Sequence, residues 1–214
     1  HVGYHFVGDV ASTGAMSPLA SIEVNECQND LTGTRHHTNS NFQDIGFFLD
    51  GNDLRDIFLT NCETACGRYG FKLKSASADA NWDVHIIRPI IDQFKHHGIL
   101  VEDLNGTGAV NINGGYAVGA ADADASIAGI NSNGIVISNF QPLGLTNNTS
   151  EDDGIALQNC TSCSIIGNRL LNLRFGISLN DSSYNTIVGN VISAWIPTDG
   201  TANAAVDLEG AIRF

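Results

Sequence analysis

Three groups of side chains in this 214-residue chain have types and spacings that could do chemistry. Glu151, Asp152 and Asp153 form a run of acids. His96 and His97 stand side by side, as do His36 and His37. Cys62 and Cys66 make one close cysteine pair, Cys160 and Cys163 a second, and Cys27 is the fifth cysteine. Paired carboxyls suit glycoside hydrolysis, which sets them about 5–5.5 Å apart for retention and about 6.5–9.5 Å apart for inversion. Asp152 and Asp153 are therefore catalytic candidates, with Glu102 as a third. A general acid must be a carboxyl held near another charge or an apolar wall. The bland alternative for Glu102 is an ion pair with Lys74, one coil away in the same outward column.

The histidine pairs do not read as a metal centre. Neighbouring residues in a strand face opposite ways, so the two rings of a pair cannot easily share one ion. The four paired cysteines allow a four-thiolate zinc site, but Cys62 and Cys66 are spaced more widely than the common knuckle. The competing reading is small, buried, mostly reduced side chains, and it is the expectation adopted, with no metal. No Walker loop, dinucleotide fingerprint or Gly-X-Ser-X-Gly elbow occurs, so no cofactor is expected.

The elements that must position these residues form a repeat. Gly, an apolar residue, a variable one and another apolar one recur at Gly70-Phe71-Lys72-Leu73, Gly98-Ile99-Leu100-Val101, Gly134-Ile135-Val136-Ile137, Gly154-Ile155-Ala156-Leu157 and Gly176-Ile177-Ser178-Leu179. The glycines step by 28, 36, 20 and 22 residues. The first step reads as one coil with an insertion from Ser75 to Asn81. The step of 36 reads as two coils, with Tyr116-Ala117-Val118 as the unmarked one. A second strand type, Ile165-Ile166-Gly167-Asn168 and Ile187-Val188-Gly189-Asn190, follows at a fixed offset, with His85-Ile86-Ile87-Arg88 as a degenerate copy. Five residues after each repeat glycine stand Ser75, Asp103, Asn139, Asn159 and Asp181, mostly types that tolerate the left-handed conformation of a tight corner. Spacing and turn chemistry together predict an all-β parallel β-helix, right-handed by the crossover rule.

Stacked coils bring equal positions about 4.8 Å apart. The two residues before each glycine then form one edge: Arg68-Tyr69, His96-His97, Ser132-Asn133, Asp152-Asp153 and Arg174-Phe175. Flat rings beside acids and guanidiniums suit sugar recognition, so Tyr69, His96, His97 and Arg174 are substrate-binding candidates. The competing reading is a solvated turn edge with a surface ion pair. The outward row Lys72, Leu100, Val136, Ala156 and Ser178 is apolar in its middle and should be covered by a loop or by another subunit.

Composition agrees. Charged residues are 15% of the chain, with 23 glycines and four prolines, which suits short strands and tight turns rather than long helices. The net charge of −13 disfavours a nucleic-acid or anionic-membrane partner, and no run is long enough to insert in a membrane as a helix. Residues 1–214 read as one β-helix domain, with irregular first coils over 1–40 and regular coils with insertions over 41–214. Both ends read as cut from a longer chain, because neither supplies a polar cap.

The glycine-led strands, the Asn corners and the segments SIIGN and TIVGN resemble the pectate-lyase-like right-handed β-helix superfamily, over roughly residues 40–195. The early coils, NFQDIGFFLDGNDLRDIFLTN, look most like phage tailspikes. That resemblance implies a homotrimer that binds and depolymerises a bacterial surface polysaccharide, on a virion tail or otherwise extracellular. EDDGIALQN is similar to the paired-Asp motif of polygalacturonases, but Arg174-Phe175-Gly176 stands where their Gly-His-Gly would follow. The Asp-Pro-His motif of alginate epimerases is also absent. Two other readings stand beside the tailspike: a non-catalytic adhesin or stalk, and a secreted polysaccharide lyase or hydrolase.

Overall fold

The computed structural model describes residues 2–10, 16–17, 19–30, 45–65, 67–75, 81–120, 123–144, 153–194 and 206–209. Among them there is no helix. Successive strands alternate among three walls of a parallel β-solenoid. The first sheet stacks Val2–Val10, Ile45–Gly51, Tyr69–Lys74, His97–Glu102, Ala125–Ile130, Asp153–Gln158, Phe175–Asn180 and Val206–Glu209. Met16–Ser17 adds a short antiparallel strand at its start. The second sheet runs from Leu19–Asn25 to Thr186–Val188 and the third from Gln28–Asp30 to Val191–Ala194, seven strands each.

Apolar residues one and three after each repeat glycine face inward. Ile99, Ile127, Ile155 and Ile177 form one such column in strict register, and each is fully buried. Earlier in the same column Tyr4, Phe47 and Phe71 stack ring on ring, 4.9 and 4.8 Å between centroids. Trp82, buried on the second wall, donates its indole N–H to the Gly51 carbonyl at 3.2 Å. The glycine itself is needed where coils touch. A Cβ on Gly98 would lie 2.6 Å from the Ser126 carbonyl oxygen, and one on Gly154 2.5 Å from that of Gly176.

The repeat phase differs from the expectation in one coil. Gly134 does not lead a first-sheet strand: it stands at φ +67° before Ile135–Ser138 of the second sheet, where Ile137 pairs with Ile165. The first-sheet strand of that coil is Ala125–Ile130, with buried Ser126 in the glycine position. Tyr116–Gly119 lies in the third sheet. Equivalent positions are thus 46, 70, 98, 126, 154 and 176, so three consecutive coils have 28 residues each.

The corners shift with the phase. Asp103, Asn131, Asn159 and Asp181 all have φ between +47° and +60° after the first sheet. The Asn131 amide donates to Asp103 Oδ1 and the Asn159 amide to Asn131 Oδ1, each at 3.1 Å. The corner expected from the sequence is thus a side-chain ladder, with Asn131 rather than Asn139 as its middle rung. Asn139 belongs to the corner after the second sheet, beside Gly114, Gly167 and Gly189, all at positive φ. In the outward row Ala128 replaces Val136, which lies on the second wall.

Candidate polysaccharide-binding rim

The edge where the chain enters the first sheet carries most of the polar chemistry. Its register runs Ile45, Tyr69, His97, Ala125, Asp153 and Phe175. The residues just before them are Arg68, His96, Asp124 and Arg174, with Asp152 outside the described residues. Ser132 and Asn133 are not part of this edge, because Gly134 belongs to the second wall. Asp124 and Ala125 take their place. Asp124 was legible in principle: Arg68, His96, Asp124 and Asp152 are each 28 residues apart.

Three of these side chains form a chain of contacts. His96 Nδ1 lies 2.8 Å from Asp124 Oδ2, and Arg68 Nη2 lies 2.9 Å from His96 Nε2. A guanidinium only donates, so Nε2 must accept and Nδ1 must carry the proton that Asp124 receives. The two contacts orient the imidazole, which is 31% exposed at the rim, with Asp124 57% exposed. The Tyr69 ring stacks beside it, 5.9 Å between centroids. Burial holds the Tyr69 phenol above its usual range.

His97 differs from its neighbour. Burial pushes its pKa down to about 4, against the pull of Asp124. Its Nδ1 is buried without a hydrogen-bond partner. The ring borders a groove of about 200 Å³ on the outer face, with Ala128, Ala156, Gln158, Ser178 and Asn180. Leu100 and Ala128 on this face are themselves buried, with Ala125, in a small cluster separate from the main core.

The two candidate carboxyls among the described residues, Asp153 and Glu102, are both paired. Asp153 is largely buried and pairs with Arg174 Nε at 3.0 Å, while Arg174 also lies over the Phe175 ring. Glu102 pairs with Lys72 at 3.0 Å and more distantly with Lys74 at 3.9 Å. Lys72 in turn sits 5.0 Å over the Tyr69 ring. Glu102 closes its strand at the far end from the rim.

The family profile described as "Periplasmic copper-binding protein (NosD)" matches residues 18–199. The chain belongs to the NosD family. No curated protein and no solved structure matches it. NosD proteins carry copper binding in that description, so the donor set matters. Among the described residues, no group of three or more His, Cys, Asp or Glu side chains converges to hold a metal ion. Both ring nitrogens of His96 are engaged as described above. Cys62, Cys160 and Cys163 are buried free thiols, and Cys27 is a half-buried one. Burial raises the Cys62 thiol, and a hydrogen bond with the Cys163 thiol raises Cys160. The described residues therefore do not fit a copper centre. His36, His37 and Cys66 lie outside them.

Proposed function

We propose that this NosD-family chain is an envelope-side β-helix that binds an extended bacterial surface polysaccharide along the first-sheet rim. The observation that supports it is the rim itself: Arg68 and Tyr69, then His96 and Asp124 on the next two coils and Arg174 two coils further, presenting rings, an imidazole and charges along one edge. Coil stacking spaces such groups by about 4.8 Å, which gives a long shallow track suited to a polymer. The periplasmic description of the family supports a location outside the cytoplasm, bacterial rather than on a virion tail.

The test is affinity electrophoresis of the intact protein through gels carrying bacterial capsular and exopolysaccharides. At least one should retard the protein, and Tyr69→Ala with His96→Ala should weaken that by tenfold or more. Equal mobility of wild type and double variant in every gel would remove the rim as a binding site. The family match favours a second reading, copper binding. Equilibrium dialysis against cuprous and cupric ions checks it, and one tightly held ion per chain would support it.

A further inference from the structure

We infer that Cys160 and Cys163 close into a disulfide that pins the corner between the first and second walls. Such a bond needs only the envelope-side location of the reading above, where paired thiols oxidise, and no polysaccharide.

The pair is a Cys-X-X-Cys segment, Cys160-Thr161-Ser162-Cys163, wrapped around the corner. Residues three apart in an extended strand face opposite ways. Here Asn159 and Ser162 both take the left-handed conformation, at φ +52° and +57°, so the chain turns and both cysteines face the core. They are 0% and 1% exposed, and the two thiols hydrogen-bond each other. Closure only has to bring two touching sulfurs to the about 2.05 Å of a disulfide. The other described cysteines are placed differently. The Cys62 thiol donates to the Val24 and Thr60 carbonyls, each at 3.6 Å, and the Cys27 side chain hydrogen-bonds Tyr4.

The neighbouring coils show that the corner does not need sulfur for packing. Thr161 bridges Asn133 on one side and Ser183 on the other. Ser132 and Ser182 therefore stand in the Cys160 place of the adjoining coils, and both are buried.

The bond forms by exchange with a disulfide of a thiol–disulfide oxidoreductase, the oxidant class of such a compartment. Cys163 is the attacking sulfur. Its hydrogen bond with Cys160 lowers its pKa against the pull of burial, helped by the backbone N–H groups of Ile135 and Gly134. The Cys163 thiolate breaks the S–S bond of the oxidant, forms a mixed disulfide and expels one sulfur as a thiolate. Cys160, deprotonated in turn, attacks the Cys163 sulfur and expels the other. Solvent carries the protons of the two cysteines to the two departing sulfurs, so the oxidoreductase ends as a dithiol.

The exchange has to precede stacking of the next coil. In the finished solenoid the Cys160 N–H donates to Ser182 Oγ at 3.0 Å and the Cys163 N–H to Asn185 Oδ1 at 2.8 Å. That coil covers the pair, whereas Gly134 and Ile135, which favour the Cys163 thiolate, belong to the coil before it.

The test follows the intact protein in two forms, drawn from the producing cells and refolded from urea in mixed reduced and oxidised glutathione. Each is unfolded with N-ethylmaleimide and no reductant, then digested for mass spectrometry. Cys27, Cys62 and Cys66 should carry the label. The peptide spanning Cys160 and Cys163 should be unlabelled and lighter than its dithiol form by the hydrogens lost. In urea unfolding, dithiothreitol should raise the wild-type unfolding constant by about 20-fold, the chain-entropy value for so short a loop. Cys160→Ser with Cys163→Ser should unfold at one midpoint with or without dithiothreitol. Label on both thiols in both forms would overturn the inference, as would either one joined to another cysteine. Closure on refolding with both thiols free in the cellular protein would overturn it in the cell and take the envelope-side location with it. An unmoved wild-type midpoint beside a closed pair would overturn the pinning. A closed pair in a protein that no polysaccharide retards would uphold the disulfide and sink the rim reading alone.

Discussion

At the residue scale, burial decides what each candidate can do. Asp153 and His97 sit at equivalent rim positions but carry opposite demands. Asp153 pairs with Arg174 at 3.0 Å. Losing one partner of a mostly buried pair removes the attraction that offset its desolvation. Asp153→Asn should therefore cost about 1–3 kcal/mol in urea unfolding, with polymer binding within about twofold of wild type. Unchanged stability with cleavage abolished would instead make Asp153 catalytic. His97 has its native pKa near 4, below the ordinary histidine value of 6.5. The unfolded chain therefore binds this proton first. Stability is full above about pH 6.5 and falls as the pH drops toward 4, by about 2–3 kcal/mol for this group alone. Urea midpoints measured from pH 7 to pH 4 for wild type and His97→Phe should show a shallower slope in the variant. Parallel slopes would mean that His97 is already solvated.

At the element scale, the corner ladder carries stability that the apolar columns do not. Asn131 holds φ +48°, donates to Asp103 and accepts from Asn159. Alanine keeps the unfavourable backbone and loses both bonds, so Asn131→Ala should cost about 1–3 kcal/mol. Asn131→Gly should recover the backbone share and lose only the bonds. Thermal melts of the two variants test this, and equal melting temperatures would show that the side-chain ladder alone matters. Gly129 makes a related point about packing. Its column neighbours are Val101 and Leu157, but here Ile135, Leu157 and Cys160 already occupy the space a Cβ would take.

At the scale of the whole molecule, the open question is association. An apolar outward row pointed to a trimer, and its Leu100 and Ala128 are buried within the single chain. That burial removes the need for a neighbouring subunit at those two residues. Static light scattering on the intact protein decides the matter. A monomer with full polymer binding fits the rim, which lies along one chain. A trimer whose dissociation abolishes binding would place the site between subunits and weaken the single-rim reading.

Much of this was legible without coordinates. Glycine-led strands with inward residues at alternate positions and Asn or Asp at the corner describe a parallel solenoid, because period-two alternation and left-handed turns are local properties of the chain. Tyr69, His96 and His97 were placed on the first-sheet edge for the same reason. Coil length was not local. Gly134 copies the sequence mark of a first-sheet strand from a second-sheet position, and Ser126 stands unmarked where glycine was expected. Only the pairing of whole strands settles which wall a marked segment joins. That pairing brought Asp124 under His96 and moved Ser132 and Asn133 away. It also set Arg174 on Asp153 and Lys72 on Glu102, contacts 21 and 30 residues apart in the chain. The residue types that could do chemistry were written in the sequence. Which of them meet depended on register, because one coil assigned to the wrong wall displaces its share of an outward column.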